Sequence, residues 1–324
     1  MSRDATPQQA APRTWLGAHQ WRRERVLLTL TAFVTLLSLL PHLVPNAGPR
    51  LGSLLETFQP WLPLAAVPLA AVAVWRRSAL ALGACALPGM AWLVVHSGTM
   101  TADGSGRYDL TALQHNVSDV NPDPVGTARD LRAAGADLIA LEEVTPANLP
   151  VYREELAAEY PHHAADGTVA LFSRHRLSDV RPVDIRPKDV PPDWRRGLRA
   201  TAHTPVGEIA VYVAHLPSVR LSPTGFGTAR RDESARYLGA AIEAEEKDRV
   251  LLMGDLNSVT GDRGLSPLTS QLDAPEGSFA FSWPASRPLA RIDQVLARKA
   301  KVTHVRALAR TGSDHLPILA RIRF

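Results

Sequence analysis

Residues 311–324 read "TGSDHLPILARIRF". Six apolar residues in the last nine mark a strand that finishes a core. Directly before it stand an acid and an imidazole, Asp314 and His315. Alone, that pair reads as well as a polar surface turn, because Asp favours turns. The rest of the chain decides between a turn and half of a site.

From about residue 109 onward, strand-like and helix-like segments alternate, which points to an α/β domain. "DLTALQHNV" (109–117) reads as a strand ending in Gln114, His115 and Asn116. "GTARDLRAAG" (126–135) is helical and leads into "ADLIALEEV" (136–144), a strand with Glu142 and Glu143 at its end. "GTVALFSR" is another strand. "RGLRATAHT" and "GEIAVYVAHLPS" form a hairpin with His215 at its exit. "RRDESARYLGAAIEAEEK" (230–247) is an amphipathic helix, with Ala235, Leu238, Ala241 and Ile242 on one face. The strands "RVLLMGDLNS", "RIDQVLA" and "KVTHVRALA" follow, before the closing segment.

One pattern recurs. Apolar strands end in Asn116, Glu143, His215, Asp255 with Asn257, and Asp314 with His315, while Asp293 lies inside another apolar run. Acids and amides gathered on one rim make a hard, oxygen-rich site. Mg²⁺ suits such donors and keeps room for water and phosphate oxygens, with Mn²⁺ as the alternative ion. Histidines beside it hold a phosphate or move protons.

These stretches resemble the endonuclease/exonuclease/phosphatase superfamily of DNase I-like enzymes, over residues 109 to 324. "LMGDLNS" (252–258) with "GSDHLP" (312–317) is the most specific part. "DLIALEEV" follows the family's D-I-I-x-L-Q-E-V with Glu142 in place of Gln. "VAHLPS" carries Ala214 where the family has Thr, and "RIDQVL" carries Gln294 where it has Tyr. The resemblance implies a four-layer α/β sandwich. It also implies roles: Glu143 as principal metal ligand, helped by Asn116 and Asp314; Asp255 orienting or deprotonating the attacking water; Asn257 holding the phosphate or that aspartate. His315 would contact the scissile phosphate with its tautomer fixed by Asp293, and His215 would stabilise charge. Either Asp255 or another group serves as base, with one metal ion or two. The chemistry implied is in-line attack on phosphorus.

Each residue also has a structural reading. Asp255 and Asn257 suit a turn, Asp314 a turn cap, Glu142 and Glu143 a solvated loop, and Asp293 an ion pair with Arg291 or another arginine. His215 suits a satisfied core histidine. Their joint occurrence in this order favours the site. His115, His162, His163 and His203 are expected to be structural, and Arg230 and Arg231 are either phosphate contacts or a solvated helix start. The loop "RLSPTGFGTARRD" (220–232) matches no phosphate-cradling signature, but its position suits a wall of the substrate pocket.

The N-terminal third differs in kind. Behind a polar start lie three stretches free of Asp, Glu, Lys and Arg: residues 26–44, 58–75 and 79–95. Each is about long enough to cross a hydrocarbon core of roughly 30 Å. A signal peptide followed by core helices is disfavoured by the length of the first stretch and the absence of a small-x-small cleavage site. Three membrane helices are therefore expected, giving a tail at 1–25, an anchor at 26–95, a tether at 96–108 and a catalytic domain at 109–324. Arg22, Arg23 and Arg25 precede the first stretch, and Arg76 and Arg77 separate the second from the third. Positive-inside bias puts both in the cytoplasm and the domain outside. The single cysteine, Cys85, permits no disulfide within the chain.

Charge narrows the substrate. Residues 1–100 carry 8 Lys/Arg and 3 Asp/Glu of the chain's 36 and 32, leaving 28 and 29 for the remainder. A domain of net charge −1 lacks the basic footprint of a nucleic-acid binder. The whole layout resembles the actinobacterial VanJ-type proteins, linked with resistance to teicoplanin-class glycopeptides. That resemblance implies hydrolysis of undecaprenyl diphosphate to the monophosphate at the outer membrane face. The rival readings are an extracytoplasmic nuclease or phospholipid phosphodiesterase, and a non-enzymatic membrane sensor or scaffold. Oligomeric state leaves no mark in the sequence.

Overall fold

The computed structural model describes residues 14–101, 106–275 and 279–324. The polar start up to residue 13 and positions 102–105 of the expected tether lie outside the described residues.

Why does the chain close on Ile318–Arg323? That segment lies between two partners in a sheet, so both its edges are hydrogen-bonded. In chain order the strands are β1 (Leu110–Asn116), β2 (Leu138–Glu142), β3 (His162–Asp166), β4 (Val169–Ser173), β5 (Leu177–Pro182), β6 (Gly197–Thr204) and β7 (Gly207–Ala214). They continue with β8 (Leu221–Ser222), β9 (Gly225–Phe226), β10 (Val250–Asp255), β11 (Asp293–Arg298), β12 (Lys301–Ala307) and β13 (Ile318–Arg323). One sheet has the order β12-β13-β1-β2-β4-β3, and a second has β11-β10-β7-β6-β5. Both are mixed: β1 runs parallel to β2 and β10 parallel to β7, with antiparallel neighbours elsewhere.

The two sheets face each other. Leu110, Ala112, Leu138 and Leu171 from the first interleave with Ala200, Val211, Leu251 and Val295 from the second. Helices cover the outer faces. Pro124–Ala133 and Leu149–Leu156 lie on the first sheet, through Leu131, Tyr152 and Leu156 against Ile139, Leu141 and Phe172. Ala229–Glu243 and Ser266–Thr269 lie on the second, through Ala235, Leu238 and Leu268 against Tyr212, Leu252 and Leu296. The result is the four-layer helix–sheet–sheet–helix sandwich. Burying each of these large side chains contributes about 1.5–3 kcal/mol. The helix expected from Gly126 starts two residues earlier, because Asp123 caps it by accepting from the Gly126 N–H at 2.8 Å and Pro124 fits the first turn.

The chain divides into two compact units. One contains residues up to Pro41 and Gln59–Val95; the other contains His42–Phe58 and His96–Phe324. In the first unit, helices span Thr14–Leu39, Ala66–Trp75, Ala79–Ala84 and Leu87–Thr101, the last running past Val95 into the region expected to be a tether. Among the described residues, one helical stretch, Ala79–Thr99, is long and apolar enough to cross a membrane, with 17% of its most apolar window buried. Gln59–Trp75 passes that test only when joined across a bend to Leu51–Thr57. The three expected spans are thus helical to different extents. The first stops at Leu39, before Pro41. Pro63 tightens the start of the second into a 3₁₀ segment, Gln59–Ala65. Leu27, Ala73 and Ala81 pack at the centre of this unit, and Phe33, Val67, Val74, Leu80 and Val94 point outward.

The segment His42–Phe58 packs with the sandwich. Its short helix, Leu51–Thr57, buries Gly52, Ser53, Glu56 and Thr57. Glu56 forms an ion pair with Arg263 at 2.6 Å, Ser53 Oγ donates to Asp262 Oδ1 at 2.9 Å, and Arg50 meets Asp232 at 2.9 Å.

Candidate active site

Register brings the polar strand ends to one rim. Asn116 of β1 stands beside Glu142 of β2, and Asp255 at the end of β10 stands beside Asp293 at the start of β11. β13 pairs with β1 from Gln114↔Ile318, so the residues just before it, Asp314 and His315, arrive at the same edge. β10 runs close to β7 because residue 254 is glycine; a Cβ there would collide with the carbonyl oxygen of Ala214. Glu143 and Asn257, each just past a strand end, hold left-handed backbones, with φ of 58° and 48°. For residues with a Cβ this costs on the order of 1–3 kcal/mol and is found where side chains must be aimed.

The side chains converge. His315 Nδ1 lies 2.8 Å from Asp293 Oδ2, and its Nε2 lies 3.7 Å from Asp255 Oδ2. His215 Nε2 lies 3.6 Å from the same Asp255 oxygen and 3.8 Å from Glu143 Oε1. Asn116 Nδ2 donates to Asp255 Oδ2 at 3.0 Å, and the Asn257 N–H donates to Asp255 Oδ1 at 2.9 Å. Asn257 Nδ2 is spent on the Leu216 carbonyl at 2.9 Å, so it braces the β10 exit against the β7 exit. Asp314 is exposed and, with Asn116, Glu143, Asp255, Asn257 and His315, lines a cavity of about 750 Å³. His215 and Asp293 are fully buried behind that floor.

Burial and charge set the protonation states. Burial alone would strip the proton from His315, but Asp293 and Asp255 flank it and hold its pKa up to about 10. It is an imidazolium at neutral pH. Asp293, although buried, is kept ionised by that imidazolium and by hydrogen bonds. Burial pushes Asp255 up to about 7, with His315 opposing, so this carboxylate exchanges its proton near neutrality. His215 is driven well below its ordinary value by burial and then by Arg196, whose Nη1 lies 3.1 Å from its Nδ1. It is a neutral imidazole. Two histidines in one site thus differ in charge, one cationic and one neutral.

Glu142 differs from its neighbour Glu143. It is fully buried, and burial with Asp293 and Asp255 nearby pushes its pKa well up, so it is a neutral acid. Gln114 bridges it to the site, donating to Glu142 Oε2 at 2.6 Å and to Asp293 Oδ1 at 3.0 Å. A protonated Glu has the shape of Gln, the residue expected at this position from the family pattern.

All eight residues singled out in the sequence therefore meet at one rim. His115 is structural: it is buried, bonded to Thr311 at 2.9 Å, and pushed down to about 3 by burial. Arg230 and Arg231 are not phosphate contacts. Arg231 is buried against Asp232 and Asp262, and Arg230 pairs with Asp189. Three features escaped the sequence. Arg196, at the hairpin start, gave no motif; Gln114 read as one polar strand end among several; and Leu54, Thr57 and Phe58 of the segment His42–Phe58, which belongs to the sandwich unit, line the cavity.

Which residues fit a metal ion? Asp255, Asp293 and His315 offer atoms within 4.8 Å of one another. His315 is a poor ligand there, because Nδ1 is bonded to Asp293 and the ring carries both protons. Glu143, Asn116 and Asp314 offer carboxylate and amide oxygens at the cavity face, the hard donors that Mg²⁺ prefers. The donor chemistry fits the ion at these three.

A family model described as the endonuclease/exonuclease/phosphatase family matches residues 113–315, and the chain belongs to that family. It is accordingly a metal-dependent hydrolase of phosphoric ester bonds. No curated protein sequence matches it. Among solved structures, sphingomyelinase C from Streptomyces griseocarneus is similar, with 18% identity, a TM-score of 0.53, and coverage of 65% of this chain and 98% of that one. The mannosyl-6-phosphatase of Bacteroides thetaiotaomicron matches with 18% identity and TM-score 0.55 over 66% of this chain and all of that one (100%). A Staphylococcus aureus beta toxin mutant with bound magnesium ions matches with 15% identity and TM-score 0.52, covering 66% and 99%.

Proposed function

We propose that the chain is a membrane-anchored, extracytoplasmic phosphatase that hydrolyses undecaprenyl diphosphate to the monophosphate, returning the cell-wall lipid carrier to use and supporting resistance to teicoplanin-class glycopeptides. The observation that carries the placement is the packing of His42–Phe58 onto the hydrolase unit. Two segments in one folded unit lie on one side of any bilayer. Gln59–Val95 between them, if it enters the bilayer, must return to the side it left. One further crossing by the first apolar helix then leaves Arg22, Arg23, Arg25, Arg76 and Arg77 opposite the hydrolase, in agreement with positive-inside bias. The outward apolar side chains of the first unit support a lipid environment.

In this reading the terminal phosphate sits on the cavity floor. Asp255 orients a water and takes its proton; the water oxygen bonds to the terminal phosphorus as the bridging P–O bond breaks. Inorganic phosphate and the lipid monophosphate leave. His315, positively charged and aimed by Asp293, faces the phosphate oxygens. Neutral His215 offers hydrogen bonding beside them without adding charge. A divalent ion at Glu143, Asn116 and Asp314 would neutralise phosphate oxygen charge. Arg220 and Arg310 line the same cavity and are exposed, which suits a substrate with the extra charge of a diphosphate.

The test is the purified full chain in detergent with Mg²⁺, given undecaprenyl diphosphate, phospholipid and plasmid DNA in parallel. Phosphate release from the lipid diphosphate alone, lost in Asp255→Ala and His315→Ala, is the expected result. Nicked plasmid with intact lipid would overturn it.

A further inference from the structure

The cavity has two chemistries. Its floor carries the carboxylates, amides and imidazole already described. Above the floor the lining includes an apolar set, part of it from the connecting segment: Leu54 and Phe58 line the cavity together with Leu221, Phe226, Trp283 and Ile292. A cavity of about 750 Å³ is far larger than one phosphate group needs and lies in the range that holds a ligand of roughly 300–1,000 Å³.

The connecting segment is held in place by its own set of contacts. Glu56, 5% exposed, binds Arg263 through its side chain and through the Arg263 N–H at 3.1 Å. Ser53 reaches Asp262, which is also gripped by the buried Arg231 at 2.8 Å. The Pro49 carbonyl accepts from the Phe226 N–H at 2.9 Å, tying the segment to the β8–β9 hairpin. Gly225 is required there, with φ of 122° and a Cβ position that would overlap the Pro49 backbone. Such contacts fix two apolar side chains beside a phosphate-handling floor. Leu221 and Trp283 of the same lining remain 71% and 38% exposed, apolar surface left open beside a polar site.

We infer that His42–Phe58 is part of the substrate site: Leu54 and Phe58, with Leu221, Phe226 and Trp283, form an apolar subsite that takes the hydrocarbon attached to the reacting phosphate. The inference rests on the proposed reading only for the reaction at the floor. It assigns to the segment between two apolar stretches the selection of an amphiphilic phosphate over a water-soluble one. Each methylene that enters the subsite is worth roughly fourfold in affinity, the equivalent of about 0.8 kcal/mol.

The test uses the full chain held in an amphipathic polymer, with geranyl diphosphate and methyl diphosphate as probes. Binding is measured by titration calorimetry in EDTA, and phosphate release separately with Mg²⁺. Geranyl diphosphate is expected to bind at least tenfold more tightly. Leu54→Gln, Phe58→Gln and Leu221→Gln should each cut that preference about threefold to tenfold and leave methyl diphosphate binding unchanged. Leu221 is exposed, so its variant keeps the fold and holds the test open if the other two do not. Equal binding of the two probes, no binding of either, or a tail preference untouched by all three variants overturns the inference. Tail-dependent binding without phosphate release sinks the hydrolytic reading instead and leaves the subsite standing.

Discussion

His315 and Asp293 form a buried imidazolium–carboxylate pair, 2.8 Å apart, joining the turn before β13 to the start of β11. Asp293 has no face on the cavity, so it acts through His315. Asp293→Asn keeps the shape and removes the charge that sustains the imidazolium. The expected loss is about a hundredfold in kcat with an unchanged circular dichroism spectrum. Activity within threefold of the parent would remove His315 from the chemistry.

Glu143→Gln addresses the metal. Replacing a carboxylate oxygen donor by an amide should weaken Mn²⁺ or Mg²⁺ binding by at least about tenfold, read by titration calorimetry. EDTA should stop phosphate release by the parent and added Mg²⁺ restore it. Undiminished ion affinity in Glu143→Gln would place the ion elsewhere on the rim.

Glu142→Gln should be benign. The buried acid is neutral, so glutamine keeps its shape and can still accept from Gln114 Nε2. An acid whose pKa rises on folding costs stability as pH climbs above its unfolded value near 4.5. The variant should therefore melt a few degrees higher at pH 7.5 and match the parent at pH 4, with activity retained. A lower melting point at both pH values would contradict the neutral assignment.

Glu245 carries the opposite sign. Burial raises its pKa, but two hydrogen bonds from Arg199 at 2.9 Å, the Lys247 N–H and the Tyr212 hydroxyl hold it at about 2. A depressed carboxyl stabilises the fold above its unfolded pKa near 4.5 and loses that contribution as pH falls toward 2. That contribution is on the order of 3 kcal/mol. Glu245→Gln leaves the buried Arg199 without its close ionic partner, only the more distant Asp179 remaining at 3.8 Å, and should cost about 3–5 kcal/mol at pH 7. Denaturant titrations at pH 7, 4 and 3 should show the gap to the parent narrowing as pH falls.

Much of the sandwich was legible because its central strands are apolar runs with ionisable residues at one end. Alternation and strand-end polarity come from local geometry, so β1, β2, β10 and β13 were readable with the rim they build. Within the two large sheets, two strands were not. β3 spells "HHAAD", with too little apolar patterning to mark it, and it exists because β4 offers an edge. β5 is an exposed edge strand, irregular between Ser178 and Arg181 and ending at Pro182, so it carries no buried face to read. Arg196 acquires meaning only through the proximity of His215, a tertiary fact. The connecting segment was hidden for the same reason: Ser53 and Asp262 are separated by 209 positions, and no local pattern announces such a pair.

That separation has a practical side. A recombinant fragment cut at the start of the sandwich, near residue 106, would lack the piece that Asp232, Asp262 and Arg263 grip, and Arg263 would lose the Glu56 carboxylate. The apolar N-terminal third and the enzyme are consequently not interchangeable cassettes. Grafting this hydrolase onto a foreign leader would discard part of its own architecture.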